Sequence, residues 1–126
     1  MDQATLVGPQ IDDVTKLVDQ LRRDGFDVKA AFWLYTSESD QWYLHIASDA
    51  VDQKGLFEAY SALGRTRRQL PDLAIGPFEV KLVAPSDPIA KAIIDFLAQR
   101  PTRRPERIRG TRLGNVYIDD AYLYHV

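Results

Sequence analysis

A chain of 126 residues with 45% hydrophobic and 27% charged side chains has the length and balance of one globular domain, and is short for two. It contains no cysteine, which removes disulfide frameworks, thiolate nucleophiles and cysteine-bound zinc. The formal charge of −2 hides an asymmetry: residues 1–60 carry 11 acidic against 5 basic side chains, a formal −6, and the remainder 7 against 11, a formal +4.

The opening MDQATLVGPQ has neither a basic start nor an apolar core. No later apolar run approaches the roughly 18 residues of a membrane span. The reading is of a cytoplasmic protein without membrane contact, with residues 1–9 flexible. A first helix is expected from Gln10 to Asp24, where Ile11, Val14, Leu17, Val18 and Leu21 form one apolar stripe. Asp12 and Asp13 then fall in its first turn and Arg22 and Arg23 in its last, each matching the helix dipole, with Gly25 as the stop.

Phe26 to Ala50 reads as two strands around the polar turn Ser37, Glu38, Ser39 and Asp40. Alternation places Phe26, Val28, Ala30, Phe32 and Leu34 on one face of the first strand, and Trp42, Leu44 and Ile46 on one face of the second. If these rows share a face, opposed residues have the same parity and the loop is odd in length. Trp33, Tyr35, Tyr43 and His45 are then left together on the other face. Their expected use is a stacking or partner-binding surface, set against ordinary cross-strand packing under a helix.

A second helix starts at Asp49 or Asp52 and turns Leu56, Ala59, Tyr60, Leu63 and Leu70 inward, with a break near Gly64 and an end at Pro71. A third strand is expected from Phe78 to Val83. The next helix has Ser86 or Asp87 as cap and Pro88 at its first position, turns Ile89, Ile93, Phe96 and Leu97 inward, and ends before Pro101. Residues 100–107 read as an arginine- and proline-rich loop. The tail pairs two strands about Gly114-Asn115, with a bulge or turn at Asp119-Asp120. The order is α-β-β-α-β-α-β-β: one α+β domain over residues 1–126, with a mixed or antiparallel sheet of about five strands and about three helices.

The chain lacks a Gly-rich phosphate loop, a dinucleotide-binding glycine motif, HExxH and Gly-x-Ser-x-Gly. Two patterns carry chemistry. Arg103, Arg104, Arg107, Arg109 and Arg112, with Arg100, are forks suited to phosphate or carboxylate. The acidic overall balance weighs against nucleic acid and leaves open a meeting of the acidic half with the basic half of another copy. The second pattern is Pro71-Asp72 followed after six residues by Glu79-Val80-Lys81, which resembles the PD-(D/E)xK nucleases. That resemblance implies two acids, Asp72 and Glu79, holding Mg or Mn, and Lys81 helping to activate water, with Glu79 and Lys81 on one strand face.

The stretches KAAFWLYTSESDQWYLHIAS (residues 29–48) and VYIDDAYLY (residues 116–124) are similar to small, uncharacterised prokaryotic proteins, a resemblance that implies no activity, cofactor or catalytic residue. The functional expectation is therefore an accessory or interaction protein. It works through Trp33, Tyr35, Tyr43 and His45 or through the arginines, without a cofactor, on a protein partner or a second copy of itself. Nucleic acid is a further contact for the arginines. The alternative is the metal-dependent nuclease.

Overall fold

The computed structural model describes residues 6–101 and 103–126. The elements are α1 (Gly8–Arg23), β1 (Ala30–Thr36), β2 (Gln41–Ala47), α2 (Ala50–Lys54), α3 (Leu56–Arg68), a 3-10 turn (Pro77–Glu79), β3 (Val80–Val83), α4 (Pro88–Ala98), β4 (Glu106–Leu113) and β5 (Val116–Leu123). The five strands form one mixed sheet in the order β3-β2-β1-β5-β4. β3 is parallel to β2, every other pair is antiparallel, and β3 and β4 are the edges. The expected α+β class and element order hold.

Apolar side chains cover both faces of this sheet. On one face Ala31, Trp33, Leu44, Ile46 and Leu82 pack against Val14, Leu17, Val18 and Leu21 of α1 and Ala59 and Leu63 of α3. On the other, Phe32, Leu34, Ala47, Ile118 and Leu123 pack against Ala90 and Ile93 of α4. A central strand buried on both sides loses its alternation, and β1 is buried from Ala30 through Leu34.

That burial overturns the parity argument. Thr36 pairs with Gln41 across the four-residue loop Ser37 to Asp40, so Trp33 opposes Leu44 and Phe32 opposes His45. Both rows of β1 are wanted in a core, so burial did not require the Phe32 row to join the Leu44 row. Asp40 closes the loop at φ 56, with its carboxylate accepting from Tyr35 Oη at 2.6 Å. Phe26 and Val28 precede the strand and join the α1 side instead of the Phe32 row.

The remaining departures are local. α1 begins at Gly8, so Gly8 and Pro9 are helical, and Asp12 and Asp13 fall beyond its first turn; residues 1–5 lie outside the described part. Asp13 is buried, and its carboxylate accepts from Ala74 N at 2.7 Å. The expected second helix breaks at Gly55, where φ is 86, and runs unbroken through Gly64. This break turns Leu56 and Tyr60 outward while Ala59 and Leu63 stay buried. Phe78 and Glu79 form a 3-10 turn before β3. Asp87 caps α4 by accepting from Ala90 N at 3.1 Å, as expected. The terminal hairpin turns through Gly114 and Asn115, with Leu113 opposite Val116. β5 is continuous, yet Ile118 and Ala121 both join the α4-side core, so its alternation slips at Asp119-Asp120, near Gly110 at φ 53.

Candidate interaction surfaces

The register disperses the four hairpin residues. Trp33 is fully buried in the α1-side core, with Tyr35 packed at its margin. Tyr43 and His45, opposite Leu34 and Phe32, lie on the α4 side. The expected single aromatic face is therefore absent, because the one-residue difference in pairing moves half of it through the sheet. His45 stacks on Phe32 at 5.1 Å with rings 8° apart, and its Nδ1 lies 3.2 Å from Tyr43 O. Burial pushes its imidazole below the ordinary value, and the nearby Lys81 charge acts in the same direction. Tyr35 is raised, first by its hydrogen bond to Asp40.

The arginines are ordered into structure. The expected 100–107 loop is shorter, since Glu106 and Arg107 already belong to β4; Thr102 lies outside the described residues. Arg107 grips Asp120 with Nε at 3.0 Å and Nη2 at 2.7 Å, and Arg109 Nε lies 3.5 Å from the same carboxylate. Arg107 also sits over the Trp42 ring at 5.5 Å. Arg100 holds Glu106 bidentately at 3.1 and 2.8 Å and draws its carboxyl below the ordinary range, with His125 Nε2 3.5 Å away. Arg103, Arg104 and Arg112 are exposed. Much of the positive charge on this edge is thus answered inside the chain, by Asp120 as well as by Glu106. An edge strand studded with charge also resists pairing with another strand.

Asp72, Glu79 and Lys81 do not assemble as the nuclease resemblance implies. Glu79 accepts from Gly76 N at 2.6 Å and from Gln10 Nε2 of α1 at 3.2 Å. Lys81 lies over the Tyr43 ring at 4.2 Å on the α4 side. Glu79 and Lys81 therefore serve opposite sides of the sheet instead of sharing a strand face, because Glu79 belongs to the turn. Asp72 is exposed in a separate turn. Among the described residues no three His, Asp or Glu side chains gather as a metal site, and no helix is long and apolar enough to cross a membrane.

Sequence reasoning missed the most exposed large apolar groups among the described residues. Phe57 on α3 is 82% exposed and Phe78 on the 3-10 turn 90%, with Leu56 at 54% and Tyr60 at 40%. Two tethers fix where they stand. Tyr60 Oη accepts from Leu82 N at 3.0 Å, and Arg67 Nη2 donates to Ile75 O at 2.6 Å. Tyr60 precedes Arg67 on α3, whereas Ile75 precedes Leu82, so the helix runs antiparallel to the segment leading into β3. Phe78 belongs to the segment between the two tethers, and Phe57 lies one turn before Tyr60. Arg65 and Arg68, further along α3, are exposed and meet no carboxylate among the described residues. Burial lowers the Arg67 guanidinium from its ordinary value, with the Glu79 charge opposing. The available signal was Gly55: a break there shifts the helical phase, placing Phe57 outside and Ala59 inside.

Comparison with protein-family models, with curated proteins and with solved structures yields no match.

Proposed function

We propose that this is a small cytoplasmic accessory protein that works by binding another protein through the flank of β3, formed by the outer side of α3 and the Pro77–Glu79 turn. The observation that carries this reading is the exposure of two phenylalanines, Phe57 and Phe78, beside an unpaired sheet edge. Large apolar side chains held in water on ordered elements are typical of contact surfaces, and buried aromatic anchors carry much of the energy of protein interfaces. Arg65 and Arg68, which meet no carboxylate among the described residues, define the complementary chemistry: the partner presents an apolar pocket or anchor flanked by acidic side chains. The arginines of β4 have a lesser part, since Asp120 already meets Arg107 and Arg109.

The test compares three forms of the tagged protein in affinity purification from its native cells, read by quantitative mass spectrometry. The wild type and the Arg109→Glu/Arg112→Glu variant should enrich the same protein. Phe57→Ser/Phe78→Ser should lose it while keeping its melting temperature, because neither ring is in the core. Retention of the same protein by Phe57→Ser/Phe78→Ser, or its loss with the β4 variant alone, would reject the assignment. Sedimentation of the pure chain over a range of concentrations shows whether the partner is a second copy.

A further inference from the structure

Gly64 stands in the interior of α3, where glycine destabilises a helix relative to alanine. Nothing among the described residues requires it there. Its φ is not positive, unlike that of Gly55, and a methyl group on it would meet no atom within 4 Å beyond the adjoining helix backbone. At about 100° per residue, positions 57, 64 and 68 fall within roughly 40° of one another around α3. The absent side chain therefore leaves a notch between Phe57 and Arg68, both exposed. Glycine at such a point lets another backbone approach closely.

The surroundings select a helix as that second backbone. A strand added to β3 would need the outward N–H groups of the edge, and the Leu82 N–H is already given to Tyr60 Oη at 3.0 Å. A helix satisfies its own backbone and meets a surface with side chains alone. Charge sets its polarity. α3 has one carboxylate, Glu58, in its first turn against Arg65, Arg67 and Arg68 in its last. Arg67 is turned to Ile75 O, whereas Arg65 and Arg68 are exposed and meet no carboxylate among the described residues. They stand about 12 and 16 Å along the helix axis from Phe57, two to three turns away.

We propose that the occupant of the β3 flank is an amphipathic helix of the partner protein, running beside α3 with its backbone close to Gly64. Its apolar side chains meet Phe57, Tyr60 and Phe78, and its carboxylates, two to three turns further along, meet Arg65 and Arg68. This assignment rests on the protein-binding reading of the flank and adds the form and charge order of the bound segment.

The probe is a displayed library of random peptides of about 18 residues, or five helical turns, selected on the wild-type full chain and counter-selected on Phe57→Ser/Phe78→Ser. Recovered peptides should carry apolar residues at helical spacing on one face, with Asp or Glu two to three turns away. A synthetic peptide from this set should bind the wild type saturably, and proline at its centre should weaken it by about tenfold or more. Gly64→Leu should also weaken it by about tenfold or more, yet melt at or above the wild type, because that side is open and leucine favours the helix. Arg65→Glu/Arg68→Glu should weaken it too, by less in high salt. The helix assignment alone is overturned by recovered sequences that alternate with period two or carry Lys and Arg in place of acids. Proline tolerance, unchanged affinity in Gly64→Leu or Arg65→Glu/Arg68→Glu, or a lower melting temperature in Gly64→Leu overturns it equally. Failure to enrich any peptide, or equal binding of the peptide by Phe57→Ser/Phe78→Ser, would instead reject the flank itself as the binding surface.

Discussion

The two edges of the sheet solve the same problem in opposite ways. β4 exposes its open side as a row of arginines, and Asp120, reaching across from β5, compensates two of them. β3 carries little charge and is flanked by α3, whose Tyr60 hydroxyl takes the Leu82 N–H that would otherwise face outward. One edge is protected by charge, the other by a helix whose outer side then presents Phe57 and, from the adjoining turn, Phe78. The comparison teaches that conspicuous sequence features and available surface differ. The clustered arginines are largely occupied, whereas two unremarked phenylalanines are free.

The comparison can be sharpened by removing the supports of each edge in turn. The largest effect is expected at Arg67, half-buried against the chain that leads to β3. Arg67→Ala should cost about 2–3 kcal/mol in denaturant unfolding, since the Ile75 carbonyl loses a charged donor. It should also speed hydrogen exchange in residues 75–83 before the rest of the sheet. Tyr60→Phe removes only the hydroxyl on Leu82 N and should cost about 1 kcal/mol. On the opposite edge, a double-mutant cycle on Arg107 and Asp120 should return a coupling of about 1 kcal/mol or less, falling as salt rises, because Arg107 is well exposed. A β4 coupling larger than the Arg67 effect would reverse this ranking.

The smallest effect is a pH dependence on the β3 side, through His45, which pairs with Lys81 across β2 and β3. Its folded value is depressed below the ordinary 6.5, first by burial, so the unfolded chain binds the proton more readily. The sign follows: this contribution is fully present above about pH 6.5 and is lost as pH falls from there toward the folded value. Melting temperature should drop between pH 7.5 and 5.5 in the wild type and drop less in His45→Phe. Glu106 on the β4 side, held low chiefly by Arg100, acts in the same direction only in more acid solution, below about its ordinary 4.5.

Much of this architecture was legible in the chain. The stripe Val14, Leu17, Val18, Leu21 specified α1, the Asp87-Pro88 start specified α4, and Gly114-Asn115 specified the last hairpin. Each of these signals is local, and each acts through a single element's own geometry. The register of the first hairpin was not local. It depends on α4 covering the far face of β1, which makes both of its rows apolar and removes the constraint that parity reasoning used. The same limit applied to charge. Arg107 and Asp120 are thirteen residues apart, and only the β4–β5 pairing brings them together. Phe78 looked like the first residue of a strand, and the Gly76-Pro77 start of a 3-10 turn left it standing in solvent instead.

The most direct test of the contrast between edges is site-specific photocrosslinking in cells, with a photoreactive phenylalanine analogue placed at position 57, 78, 109 or 112. Adducts to one and the same protein from positions 57 and 78, and none from 109 and 112, are the predicted result. Adducts from 109 or 112 with nothing captured at 57 and 78 would contradict it and move the working surface to the arginine edge.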